Sequence, residues 1–183
     1  MAAVKLISIS TESRVNLPRR CYNCGSNNTV TFVTISNRIG LTGLGMKIFT
    51  VGYGGRKPDE FITLLREHGI NIIVDVRLKP EHAYMGTYSK SKDPHKGIQG
   101  LLERAAIQYV WAAELGNMFK DFDDWQEKYR RHLGETGDIL CSRLYDLNIP
   151  FCLMCCEKRA SGCHRKLIAD YLVSKGYEVE HLE

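Results

Sequence analysis

From residue 46 onward, apolar and polar positions alternate in two kinds of block. Lys47–Val51 is an apolar run of strand length, closed by a turn at Gly52, Gly54 and Gly55. Pro58–His68 sets Phe61, Leu64 and Leu65 at helical spacing, with Pro58 suited to the first turn and Gly69 to the stop. Asn71–Val76 returns to the run expected of a strand covered on both faces. Ile98–Ala106 predicts a second helix, and Gln108–Ala112 a third strand ending at Glu114-Leu115-Gly116. Phe122–Leu133 and Glu135–Leu147 predict two helices separated at Gly134. Ile149–Cys155 predicts a strand, Cys163–Lys175 a helix closed by Gly176, and Glu178–Leu182 a last strand. Strands separated by helices imply a three-layer α/β fold, its sheet mainly parallel with helices on both faces.

Two segments depart from this rhythm. Leu78–Lys96 is polar, rich in Lys, Tyr, Ser, Gly and His, and long for a connection, a length usually tied to function. Residues 1–45 hold short β-leaning runs (Val4–Ser8, Val30–Ile35), the pair Cys21 and Cys24, and a glycine-rich exit. The chain is therefore read as an N-terminal extension over 1–45 and an α/β domain over 46–183, with Met46 as an alternative start.

Composition narrows the function classes. Hydrophobic residues make up 44% of the chain, enough for a real core. The longest apolar runs, Ile70–Val76 and Phe151–Cys156, are strand-sized, so no membrane span is expected. The N-terminal stretch lacks a basic segment followed by a sustained apolar block, and the expected compartment is the cytoplasm. A formal charge of +4 permits an anionic ligand without forming a basic stripe. The seven cysteines are an odd number, which argues against a disulfide framework. Cys152, Cys155, Cys156 and Cys163 crowd into one short stretch.

In open parallel sheets, ligands bind outside the carboxyl ends of the strands. Here those ends are followed by Gly52 and Tyr53, by Asp75 and Arg77, by Glu114, and by Cys155, Cys156 and Glu157. The stretch LMCCEKRASGCHR, residues 153–165, begins as a strand end and finishes as a helix start. Ser161 is the expected N-cap, which puts Cys163, His164 and Arg165 in the first turn, where free N–H groups and the helix dipole attract anions. A cysteine there has a lowered thiol pKa. Plainer roles exist for each residue. Cys152, Cys155, Cys156 and Cys163 can be packing residues. Arg165 can pair with Glu157, and Asp75 with Arg77, as structural pairs. Cys155, Cys163 and His164 also offer metal donors, but adjacent Cys163 and His164 chelate one ion awkwardly, and Cys21 and Cys24 are half of a zinc site. No metal set and no cofactor is assigned.

Residues 47–181 resemble the domain of unknown function 488 family. The motifs are Thr50-Val51-Gly52-Tyr53, Asp75-Val76-Arg77 with Pro80, Glu114-Leu115-Gly116, and Cys155-Cys156-Glu157 followed by Cys163-His164-Arg165, in family order. Gly54 and His82 stand where many members carry serine. The resemblance implies a compact α/β domain and marks these residues as site members; it implies no reaction.

The leading expectation is an enzyme acting on a small phosphorylated or nucleotide-like anion. Glu157 or Glu114 would serve as general acid or base, Arg77 and Arg165 would hold the anion, Asp75 would orient Arg77 or a metal, and Cys155 or Cys163 would be the nucleophile in a thiol variant. A binding module for a nucleotide or nucleic acid is the first alternative, since Lys79, Lys90, Lys92 and Lys96 with Tyr84 and Tyr88 mix bases and aromatics. Thiol or sulfur transfer is the second, since Asp75-Val76-Arg77 resembles the opening of rhodanese-like domains.

Overall fold

The computed structural model describes residues 45–147 and 149–183. The runs Val4–Ser8 and Val30–Ile35 and the pair Cys21 and Cys24 lie outside the described residues. Five strands form one sheet: β1 (Lys47–Gly52), β2 (Ile72–Asp75), β3 (Gln108–Trp111), β4 (Cys152–Cys155) and β5 (Glu178–Leu182). Their order is β3-β2-β4-β1-β5, and every pairing is parallel. The helices are α1 (Pro58–Glu67), α2 (Gly97–Arg104), α3 (Trp125–Leu140), α4 (Ser142–Tyr145) and α5 (His164–Ser174). This is the three-layer α/β architecture that the alternation of apolar runs and helical spacing predicts.

The two faces of the sheet bury separate clusters. On one, Phe61 and Leu65 of α1 and Ile98 and Leu102 of α2 pack on Val51, Ile73, Cys152 and Met154. On the other, Tyr129 and Leu133 of α3 and Ile168 and Leu172 of α5 pack on Ile48, Val74, Leu153 and Cys155. Side chains alternate along a strand, so β4, buried throughout, sends Cys152 and Met154 one way and Leu153 and Cys155 the other. Burying each large apolar side chain contributes about 1.5–3 kcal/mol.

This layering positions the site. Chain leaving β1 and β2 passes through α1 and α2 on one face, whereas chain leaving β3 and β4 passes through α3 and α5 on the other. The central strand β4 lies between β2 and β1. Its outgoing connection therefore diverges from those of both neighbours, which opens a crevice at their carboxyl ends.

Several expected boundaries shift. The helix break at Gly134 does not occur: α3 runs through it, and the chain turns at Cys141 instead. A mid-helix glycine costs only about 1 kcal/mol, and the buried face made by Tyr129, Leu133 and Gly137 holds the helix on both sides of it. Ser161 is not the cap of α5. It lies in a 3₁₀ turn, Ala160–Gly162, and Cys163 occupies the extended N-cap position. The polar stretch 78–96 is more ordered than its composition implies. It holds 3₁₀ turns at Pro80–His82 and Gly86–Tyr88 and a bridge between Lys90 and Gly97.

Candidate functional site

The strand ends are locked together before any side chain is considered. Beyond β1, the Tyr53 and Gly54 N–H groups donate to the Cys155 and Cys156 carbonyls at 3.2 and 2.8 Å. Beyond β2, the Val76 N–H donates to the Met154 carbonyl at 3.1 Å. The segments carrying Tyr53, Arg77 and Cys155–Glu157 thus share one edge. They border a cavity of about 570 Å³. Its wall holds Tyr53 and Arg77, its floor Cys155, Cys156, Glu157, Cys163 and His164, and its rim Lys79, His82, Asn117, Lys120 and Trp125.

The wall is a buried polar network. Asp75 is fully buried at the end of β2, and Arg77 nearly so. Arg77 grips both carboxylate oxygens, from Nε at 2.8 Å and from a terminal nitrogen at 2.6 Å. Asp75 Oδ2 also accepts from the Tyr109 hydroxyl at 2.7 Å. The remaining Arg77 nitrogen donates to the Tyr53 hydroxyl at 3.2 Å, and its guanidinium lies 5.0 Å from the Tyr53 ring centre. Burial works against the Arg77 charge, but the paired bonds to Asp75 outweigh it and raise its pKa. Tyr53 in turn stacks on the buried Tyr88 at 4.5 Å.

The floor joins the end of β4 to the start of α5. Cys163 caps α5 and His164 begins it. His164 Nε2 is 2.9 Å from the Val76 carbonyl, which can only accept, so Nε2 donates, and in the neutral ring Nδ1 carries the lone pair. Nδ1 lies 3.7 Å from Cys155 Sγ and 3.9 Å from Cys163 Sγ. Cys155 also donates to Glu157 Oε2 at 3.2 Å. Its hydrogen bond to Cys155 lowers the Cys163 thiol pKa, and His164 adds to this against the effect of burial. Bonds to Cys156 and Cys163, together with burial, push the Cys155 thiol well up. Glu157 is exposed at its outer edge, while Oε2 is sheltered among the thiols. That shelter pushes its carboxyl up, but hydrogen bonds from Cys156, Cys163, its own backbone and Cys155 prevail and hold it at about 2.

Of the residues that the sequence points to, Tyr53, Arg77, Cys155, Cys163, His164 and Glu157 border the cavity, and four do not. Glu114 sits in a 3₁₀ turn, Ala113–Leu115, and its carboxylate meets Arg143 at 3.2 Å. Arg165 is fully buried and donates to the Glu157 and Lys158 carbonyls, so it braces the loop. Gly52 supports that loop from below, since a side chain there would collide with the Glu157 backbone. Asp75 acts through Arg77 and Tyr109. Cys156, half-buried, is on the floor instead of being wholly core packing. Asn117, Lys120 and Trp125 also border the cavity, without belonging to any motif the sequence presents. Asn117 directly follows the Glu114-Leu115-Gly116 strand-end segment, which is a signal; Lys120 and Trp125 carry none. In the 78–96 stretch, Tyr88 packs inward against Tyr53 and Phe61, and Lys90 lies over Trp111 at 5.1 Å. Those two are committed to internal contacts.

A family model described as domain of unknown function DUF488 matches residues 57–172. That span holds Arg77, the whole floor and the rim, and leaves out β1 with Tyr53. Comparison with curated proteins and with solved structures finds no match.

Proposed function

The chain belongs to the DUF488 family, for which no reaction is described, and on the site's geometry we propose that the crevice binds and transforms a small phosphorylated or nucleotide-like anion. The observation that carries this reading is the pairing of a cationic rim with a reactive floor. Lys79 and Lys120 border the cavity, and neither is in an ion pair among the described residues. Asn117 accepts from the Phe119 N–H through Oδ1, which leaves its amide NH₂ as a donor for ligand oxygens. The anion is therefore held by Lys79, Lys120 and Asn117. Arg77, gripped by Asp75 and bonded to Tyr53, shapes the wall. Glu157, the one carboxylate bordering the cavity among the described residues, acts as the general base.

The test is a ligand panel of inorganic phosphate, pyrophosphate and nucleoside monophosphates, read by thermal shift and calorimetry at several salt concentrations. At a hundred times its dissociation constant, a ligand stabilises the fold by about 2.7 kcal/mol. Lys79→Ala with Lys120→Ala abolishes that gain. Lys166→Ala, whose side chain pairs with Asp170 on α5, keeps it. Turnover of the bound ligand is lost in Glu157→Gln while binding survives. Failure of every anion in the panel, or binding untouched by removal of both lysines, overturns the reading.

The lowered Cys163 thiol favours a second reading, thiol or sulfur transfer. Its mark is a persulfide on Cys163 after thiosulfate treatment, seen by mass spectrometry. An unmodified Cys163 removes it.

A further inference from the structure

The geometry points to a metal centre on the crevice floor: Cys155, Cys163 and His164 bind one Zn²⁺ ion, leaving a fourth position open to the cavity beside Glu157. The site stands independently of the anion reading, because it rests on the donor atoms alone.

One donor atom from each of the three residues lies within 4.8 Å of the others. A tetrahedral zinc with bonds of about 2.3 Å to sulfur and about 2.0–2.1 Å to nitrogen holds those donors roughly 3.5–3.8 Å apart. The Cys155 Sγ–His164 Nδ1 and Cys163 Sγ–His164 Nδ1 separations are 3.7 and 3.9 Å. The two sulfur–nitrogen edges therefore need adjustments of only tenths of an ångström, and the two sulfurs already lie within 4.8 Å of each other.

The imidazole is already oriented for the task. Metal-bound histidines donate their second ring N–H to a carbonyl or carboxylate, which fixes the tautomer. Here Nε2 donates to the Val76 carbonyl at 2.9 Å, and Nδ1 faces the two sulfurs. The adjacency of Cys163 and His164, awkward on a regular helix, is resolved by the backbone. Cys163 is extended (φ −123, ψ 142), and α5 begins at His164, so both donors converge.

The chemistry of the set selects the ion. Two thiolates and an imidazole suit Zn²⁺ better than Mg²⁺ or Ca²⁺, which take oxygen ligands. The donors sit on a strand end and a helix start, both anchored in the core, and all three residues are buried. All three also border the cavity, so a fourth ligand arrives from it. Three protein donors with one open position is the pattern of catalytic zinc centres, whereas structural sites close with a fourth protein ligand. Glu157 belongs to a neighbouring set, with Cys155 and Cys156, and its Oε2 lies 3.2 Å from Cys155 Sγ. It is placed to take a proton from water on the open position.

The experiment measures zinc per chain in the full-length protein after dialysis without chelator, followed by stripping and replacement with Co²⁺. One zinc per chain is expected, and the cobalt form shows thiolate-to-metal charge-transfer absorption. Stoichiometry persists in Cys21→Ser with Cys24→Ser, and in Cys152→Ser, whose thiol faces the opposite side of the sheet. It falls below about a tenth of wild type in Cys155→Ser with Cys163→Ser. If that variant does not fold, the wild-type cobalt spectrum decides alone, since absence of the charge-transfer band overturns the site. Loss of zinc on mutating Cys21 and Cys24 overturns it as well. So does a metal-free chain in which Cys155 and Cys163 join as a disulfide. Because no anion is present, these outcomes are read separately from those of the ligand panel.

Discussion

Gly52 and Glu157 meet backbone to backbone: a Cβ at Gly52 would stand 1.7 Å from the Glu157 carbonyl oxygen and 3.1 Å from the Arg165 guanidinium. The last residue of β1 is thus a seat for the loop that carries the floor carboxylate. Gly52→Ala forces that loop away, because the obstructing atom is backbone and has no rotamer to escape through. We expect a loss of about 3 kcal/mol or more in urea unfolding, with the slope unchanged. An unchanged midpoint would show that the loop yields freely.

The Asp75–Arg77 pair predicts a double-mutant cycle of uneven sides. Asp75→Leu leaves a nearly buried guanidinium without its carboxylate, and Arg77→Met leaves a fully buried carboxylate held by Tyr109 and the residue-77 backbone N–H. Each single change costs about 3–5 kcal/mol. The combined Asp75→Leu, Arg77→Met variant removes both charges and is milder than either single. Equilibrium unfolding of the four proteins checks this, and simple additivity would refute the coupling.

The strand ends were legible because apolar runs stop at polar or glycine positions, and the rule for parallel sheets then placed Tyr53, Arg77 and Glu157 on one edge. Side-chain direction was not legible. Arg165 follows Cys163 and His164 in a helix start, which suggests an anion ligand, yet its guanidinium turns back to the Glu157 and Lys158 carbonyls. Glu114 is near a strand end, but a 3₁₀ turn delivers it to Arg143. Sequence adjacency made Cys163 and His164 look like poor co-ligands, because the extended backbone at Cys163 leaves no mark in composition. Lys120 reaches the rim from the irregular chain between β3 and α3, where no periodicity exists to read, and Trp125 from the first turn of α3, whose periodicity marks a helix but not which side chain meets the cavity.

Alternation along β4 predicts a pattern of thiol reactivity. Cys163 and Cys156 border the cavity, whereas Cys152 and Cys141 are fully buried. Burial pushes the Cys141 thiol up to about 12 and raises Cys152 further still. At neutral pH the Cys141 thiolate population is on the order of a thousand-fold below that of an ordinary surface cysteine, and that of Cys152 is lower still. In chelator-treated protein, brief alkylation followed by peptide mapping therefore labels Cys163 and Cys156 and spares Cys141 and Cys152. Labelling of Cys152 at the Cys163 rate would contradict the assignment of the two to opposite faces of the sheet.

Two glycines three positions apart in α3 predict substitutions of opposite sign. Around Gly134 an added Cβ meets nothing within 4 Å, and the backbone is helical. Gly134→Ala keeps every contact and reduces the freedom of the unfolded chain, so it stabilises by about 0.4–1 kcal/mol. Gly137 is buried, and a Cβ there would stand 2.4 Å from the Tyr171 ring of α5. Helix propensity favours alanine at both positions, but at Gly137 the ring must move out of the α3–α5 contact. Its hydroxyl bond to Asp138, 2.9 Å, is then strained or lost. Overpacking of this kind costs about 1–3 kcal/mol, more than propensity returns. Thermal and urea unfolding of the two variants measures the sign directly. Destabilisation by Gly134→Ala would mean that a helix break survives at that position.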